Sequence, residues 1–264
     1  MAQTPNLLNL LSPYNIVIFM LVFTRLTGMM QTAPFISTIR PPMMAKIWFG
    51  ATIAFILYPI VLTSKNYVMP KNMTEFLILI ALEFMIGYLI GFVANLILEG
   101  VRMAGNIISI QTGLSMSEAL DPATGVASND ISRIYIYLAT MVFLAIGAHQ
   151  MLFIALNGSF VTLPIGTFPL FDAQTVQSLL ILFAQIFKIS FGVALPVYSV
   201  LMITDILLGM MSKMMPQMNI YMVALPVKIY IGLFLILGLL SLTNVYLQGV
   251  IQNYMQALSL IFTK

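Results

Sequence analysis

The chain predicts an all-α integral membrane protein on three observations. Apolar residues make up 61% of its 264 positions and charged residues only 7%, where soluble domains carry roughly 25% charged. The mean hydropathy is +1.03. The apolar residues also fall into six long segments parted by turn-forming residues. A soluble domain of this length could not cover its surface with so few charges. Cysteine is absent, which excludes disulfides, thiolate nucleophiles and Cys-based metal sites. The net charge of +3 is dispersed, with no basic run of the kind that binds nucleic acid.

The six helical segments are expected at Tyr14–Met30, Ala45–Thr63, Thr74–Leu98, Ile134–Leu156, Val176–Leu208 and Asn219–Leu247. A spanning helix needs about 20 mainly apolar residues. The second, third, fourth and sixth meet this directly. Arg25 interrupts the first, and the fifth carries Lys188 and Pro196. Pro34, Pro41 and Pro42 follow the first segment. Pro70 lies between the second and third, and Pro164, Gly166 and Pro169 between the fourth and fifth. Pro216 divides the fifth from the sixth. No Lys or Arg precedes Arg25, so the first apolar segment lacks the basic flank of a signal peptide and is expected to be retained. The sequence reads as one membrane domain, without an internal repeat. Arg40, Lys46, Arg102, Arg133 and Lys213 lie in the odd connections. Lys65, Lys71 and Lys264 lie in the even ones and at the C-terminus. That balance places odd connections in the cytoplasm.

Between the third and fourth segments runs a polar interruption of about 35 residues, Glu99–Arg133. Its Gly, Ser, Asn and Gln content is incompatible with lipid, because exposed backbone groups would go unsatisfied there. It is expected outside the bilayer or lining a water-accessible space. Ile107, Ile108, Ile110, Leu114 and Met116 are apolar within it, and Gly105, Gly113 and Gly125 break it. A loop alternating Gly with large apolar groups can fold back and plug a pore.

Arg25, Glu83, Lys188, Asp205 and Lys228 lie inside apolar segments. Each costs roughly 2.5–3.5 kcal/mol at a helix centre, and Pro196 and Pro226 remove backbone donors. Such helices suit a chain packed against other protein. Asp205 and Lys228 flank the turn at Pro216, offset by roughly 9 Å in an antiparallel hairpin. They read as an ion relay, as charges paired with a partner subunit, or as groups snorkelling to an interface. His149, the only histidine, reads as a hydrogen-bonded structural residue. Met210, Met214, Met218 and Met222 form a fourfold spacing suited to helix packing or an adaptable seal. Gly87 and Gly91 form a GxxxG spacing that permits close helix approach.

Three blocks give these features a wider meaning. The first joins Pro34-Phe35 to Arg40-Pro41-Pro42 and Lys46. The second is Val101–Pro122, VRMAGNIISIQTGLSMSEALDP. The third is Ala194–Lys228, where ALPV precedes LLGMMSKMMPQMNIYMVALPVK. Together they resemble the FliR family, whose virulence-system counterpart is the SctT family, over nearly the whole chain. Lys213 stands where relatives often have Arg, and Tyr221 where they often have Phe.

The resemblance implies a non-enzymatic, cofactor-free component of the type III protein export gate, in the bacterial inner membrane at the flagellar basal body. It implies a FliP-like part over 1–175 and a FliQ-like hairpin with the C-terminus over 176–264, packed in a helical pore assembly. FliP and FliQ are the implied assembly partners, FlhB and FlhA the neighbours, and unfolded export substrates the cargo. It implies that Gly105–Pro122 plugs the closed pore, with Gly105, Ile110, Gln111, Gly113, Leu114, Met116, Asp121 and Pro122 in the gate. It also implies partner contacts through Lys213, Pro216, Gln217, Asn219, Pro226 and Lys228, with the Ser212–Tyr221 turn on the cytoplasmic side. The alternatives are the virulence export system of the same family, a secondary transporter using Asp205 and Lys228, and a polytopic membrane enzyme with polar catalysts in Glu99–Arg133. An inverted repeat would favour the transporter.

Overall fold

The computed structural model describes residues 13–39, 41–64, 69–115, 130–166, 173–217 and 219–263. Its described elements are all helical: α1 (Pro13–Thr32), α2 (Pro34–Ile39), α3 (Met43–Ser64), α4 (Met73–Thr112), α5 (Asp130–Ala145), α6 (Ala148–Thr162), α7 (Ala173–Met214) and α8 (Ile220–Thr263). Five of them are long and apolar enough to cross a membrane, and α5 with α6 would make a sixth if the two form one span. The expected fold class, an all-α integral membrane protein, is the observed one.

Three departures from the expected bounds are large. Helix α4 runs on to Thr112 rather than ending at Leu98. The first part of the polar interruption is therefore helix, not loop. The cause is spacing: Leu98, Val101, Ala104, Gly105, Ile108 and Thr112 are buried and recur every three or four residues, the period of one helix face. Helix α8 continues past Leu247 to Thr263 for the same reason. Leu247, Ile251, Tyr254, Met255, Leu258 and Phe262 are buried along it. The single expected segment Ile134–Leu156 is two helices, broken at Ile146–Gly147 where Gly147 takes φ +71. That left-handed conformation suits glycine and does not continue a helix. Prolines stay inside helices at Pro59, Pro196 and Pro226.

The chain divides into two compact units. The first comprises Met1–Asn95, Gly147–Leu182 and Tyr254–Lys264; the second comprises Leu96–Ile146 and Phe183–Asn253. In the first unit α1 packs along α3 and against α2. Glycines bring α1 and α4 together there. A Cβ on Gly87 would strike the Arg25 carbonyl, one on Gly91 would strike the Met29 carbonyl, and one on Gly28 would strike the Phe84 carbonyl. The GxxxG spacing is thus used inside the chain, for backbone-to-backbone approach. Tyr254 closes the same unit by donating its hydroxyl to the Val93 carbonyl at 2.8 Å. In the second unit, Gly105 lets α4 meet α5 at Ser132, whose hydroxyl donates to the Arg102 carbonyl at 3.0 Å.

Candidate functional site

The candidate site forms where α4 ends against the α7–α8 hairpin, within the second unit. The last turn of α4 is closed locally. Thr112 Oγ1 donates to the Ser109 carbonyl at 3.0 Å, and Gly113 N donates to the Ile110 carbonyl at 3.1 Å. Gly113 then takes φ +82, and a Cβ there would press on Leu225 of α8. The glycine is needed on both counts, conformation and space. Thr112 fits against Gly232 of α8, where a side chain would collide with it.

A polar cluster joins three helices at this point. Lys228 Nζ of α8 lies 2.8 Å from Oδ1 and 3.1 Å from Oδ2 of Asp205 on α7. Gln111 Nε2 of α4 donates to Asp205 Oδ2 at 2.8 Å. The Lys228 side chain is 18% exposed and that of Asp205 38%. The long lysine side chain closes the offset that the sequence anticipated, so this pair is satisfied within the chain rather than by a partner subunit. Beside it opens a cavity of about 560 Å³, lined by Ile110, Gly113, Ser115, Ser212 and Leu225 among others.

The expected gate residues divide accordingly. Gly105 is mid-helix and serves packing on Ser132, not loop freedom. Ile110 is 66% exposed, Gln111 belongs to the polar cluster, and Gly113 and Leu114 lie in the turn that follows α4. Met116, Asp121 and Pro122 lie outside the described residues. Among the expected partner contacts, Lys213, Pro216, Gln217 and Asn219 are exposed around the turn between α7 and α8. Pro226 is exposed within α8, whereas Lys228 is engaged by Asp205.

The sequence noted Arg25 and Glu83 separately; the structure joins them. Arg25 is fully buried, and its Nε lies 2.5 Å from Glu83 Oε2. Its Nη1 donates to Ser159 O at 3.0 Å and Ser159 Oγ at 3.1 Å, and its Nη2 to Leu163 O at 3.0 Å. The guanidinium also stacks over Phe160, 4.4 Å from the ring centroid. Glu83 accepts a further bond from the Gly166 amide at 3.3 Å. The only available signal was one cation and one anion, each deep in its own apolar segment. With Asp205 and Lys228 also paired, four of the five intramembrane charges are satisfied inside the chain. They therefore do not by themselves argue for a partner. Lys188 is exposed. His149 departs from expectation, since its buried Nδ1 has no hydrogen-bond partner among the described residues. No group of three metal-binding side chains occurs among the described residues.

Comparison with known proteins places these features in a family. The family model for bacterial export proteins, family 1, matches residues 16–254. The flagellar biosynthetic protein FliR of Bacillus subtilis is 26% identical over 234 residues, covering 88% of this chain and 89% of that protein. FliR of Escherichia coli is 30% identical over 223 residues, covering 83% and 82%. The chain belongs to the FliR family. The surface presentation of antigens protein SpaR of Shigella flexneri is also similar, 29% identical over 154 residues, or 58% of this chain and 59% of that protein. The FliR family is one of structural export components rather than enzymes. Membership, together with five to six apolar helices, makes the protein a multi-pass membrane component of an export apparatus.

Proposed function

We propose that the protein is a structural, pore-forming component of the flagellar type III export gate. It assembles with FliP and FliQ in the bacterial inner membrane, next to FlhB and FlhA, and helps pass unfolded flagellar subunits. Within the stretch Gly105–Pro122, the end of α4 and the turn that follows it plug the closed pore, with Gly105 anchoring the helix behind them, and the turn between α7 and α8 contacts other export components. The observation that carries this reading is the seating of the α4 end on the hairpin. There Gly113 adopts φ +82 against Leu225, which brings the second of the three family-like blocks against the third. Helix length supports it. Helices α7 and α8 have 42 and 44 residues, about 63 and 66 Å of helix at 1.5 Å per residue. The hydrocarbon core of a bilayer is only about 30 Å thick. Such helices suit a gate that rises beyond the ordinary membrane plane.

A flagellar role is favoured over a virulence role by coverage. The FliR relatives align over 83% and 88% of the chain, and SpaR over 58%. A transporter relay through Asp205 gains no support, because Lys228 and Gln111 already occupy that carboxylate. The test is an ion-leak assay in cells that carry the complete assembly. Gly113→Asp adds bulk and charge where the backbone is left-handed, and it should raise leakage. Deletion of Ile110–Ser117 should raise it further. If both variants assemble and stay as tight as wild type, the segment is not the plug.

A further inference from the structure

We infer that Asp205 is a positioning residue for the start of the gate segment: held by Lys228, its carboxylate takes the side-chain amide of Gln111 and fixes where the chain leaves α4. This rests on the plug reading and deepens it. The cluster joins one side chain from each of three helices. A carboxylate offers about four lone-pair sites and no donor. Lys228 approaches both of its oxygens, and Gln111 donates to Oδ2. Bonds to an ionised acceptor are about twice as strong as neutral ones.

The rest of the α4 end is unevenly held. Farther back along the helix, Gly100 lies against Ile189, Gly105 lies against Ser132, and Ile108 is fully buried. Beyond that, Ile110 is mostly exposed, and Gly113 and Ser115 border the 560 Å³ cavity. Leu225 and Gly232 give the end of α4 two tight apolar contacts. The Gln111 side-chain bond to Asp205 spans from α4 to the hairpin. Loss of that bond should free the turn at 110–115 while α4 above it stays packed. Lys228 acts one step removed: it holds the carboxylate and keeps it aimed at Gln111.

The chain has no cysteine, so paired nitroxide labels can be placed cleanly. Ser115→Cys and Ser212→Cys put labels on two walls of the cavity. A control pair at Met103→Cys and Ile134→Cys reports on α4 against α5. Distances are measured on the full chain in its complete assembly. Asp205→Ala and Gln111→Leu should each raise the undocked fraction at the 115–212 pair roughly tenfold, from loss of a bond to a charged group. The control pair should not change. Asp205→Asn, which keeps an acceptor oxygen but not the charge, should fall between. If Asp205→Ala does not fold, Gln111→Leu still decides, because it leaves the Asp205–Lys228 pair intact. An unchanged 115–212 distance in Gln111→Leu overturns the inference, as does equal broadening at both pairs. The leak assay on the same variants separates the two readings. Broadening with leakage supports both, whereas broadening without leakage supports the clamp and removes the plug.

Discussion

Two ion pairs that join one apolar helix to another, Arg25–Glu83 and Asp205–Lys228, are built to opposite ends. Arg25 and Glu83, in the first unit, are 0% and 2% exposed. All three guanidinium nitrogens are used, two of them on carbonyls at the end of α6 and just beyond it. Asp205 and Lys228, in the second unit, are 38% and 18% exposed and border a cavity. The first arrangement leaves no room for an alternative partner. Desolvation has been met by bonding every group, which makes the network a staple. The second keeps one wall open and adds an amide from the end of α4. The same chemistry thus closes off one pair completely and leaves the other beside open space, with an amide of α4 bonded to it.

The largest effect that would break this contrast concerns the staple. Arg25→Ala or Glu83→Ala strands a buried charge and should destabilise the fold by on the order of 3–5 kcal/mol. Denaturant titration in mixed micelles measures it, and a loss below that of Asp205→Ala would erase the distinction. Next is Gly87→Ala, whose Cβ would strike the Arg25 carbonyl. Prising α1 from α4 there should cost about 1–3 kcal/mol, read in the same titration. Asp205→Ala should cost about 1 kcal/mol globally, because its partly exposed pair is screened, yet it should raise ion leakage in the assembled gate. A cost as large as that of Arg25→Ala would make the second pair another staple. Smallest is Arg102→Gln. Its pair with Glu99, at 3.0 Å, has side chains 50% and 38% exposed, and its loss should shift stability by about 0.5 kcal/mol or less.

The helices were legible in the sequence because length and hydropathy alone mark spans. Their ends were less so. The polar content of Glu99–Thr112 masked a three-to-four-residue burial period that carries α4 onward, and Gln248, Gln252 and Asn253 masked the same period in α8. The break at Gly147 was hidden because nothing local announces a positive φ in an apolar run. At the site, Gly113 was legible as a place needing backbone freedom, and Asp205 and Lys228 as charges near one turn. Gln111 was read as a gate residue but not as the third member of their cluster. That link spans 94 residues, and only the tertiary fold creates it. The Arg25–Glu83 pair spans 58 residues and was hidden for the same reason.

As a part of an export gate, this chain should act only within the assembly. Co-expression with FliP and FliQ, followed by mild-detergent purification through a tag on this chain, tests it most directly. One detergent-stable ring containing all three proteins is expected, with degradation or aggregation of this chain when the other two are withheld. A stable, monodisperse monomer that leaves FliP and FliQ behind would contradict it.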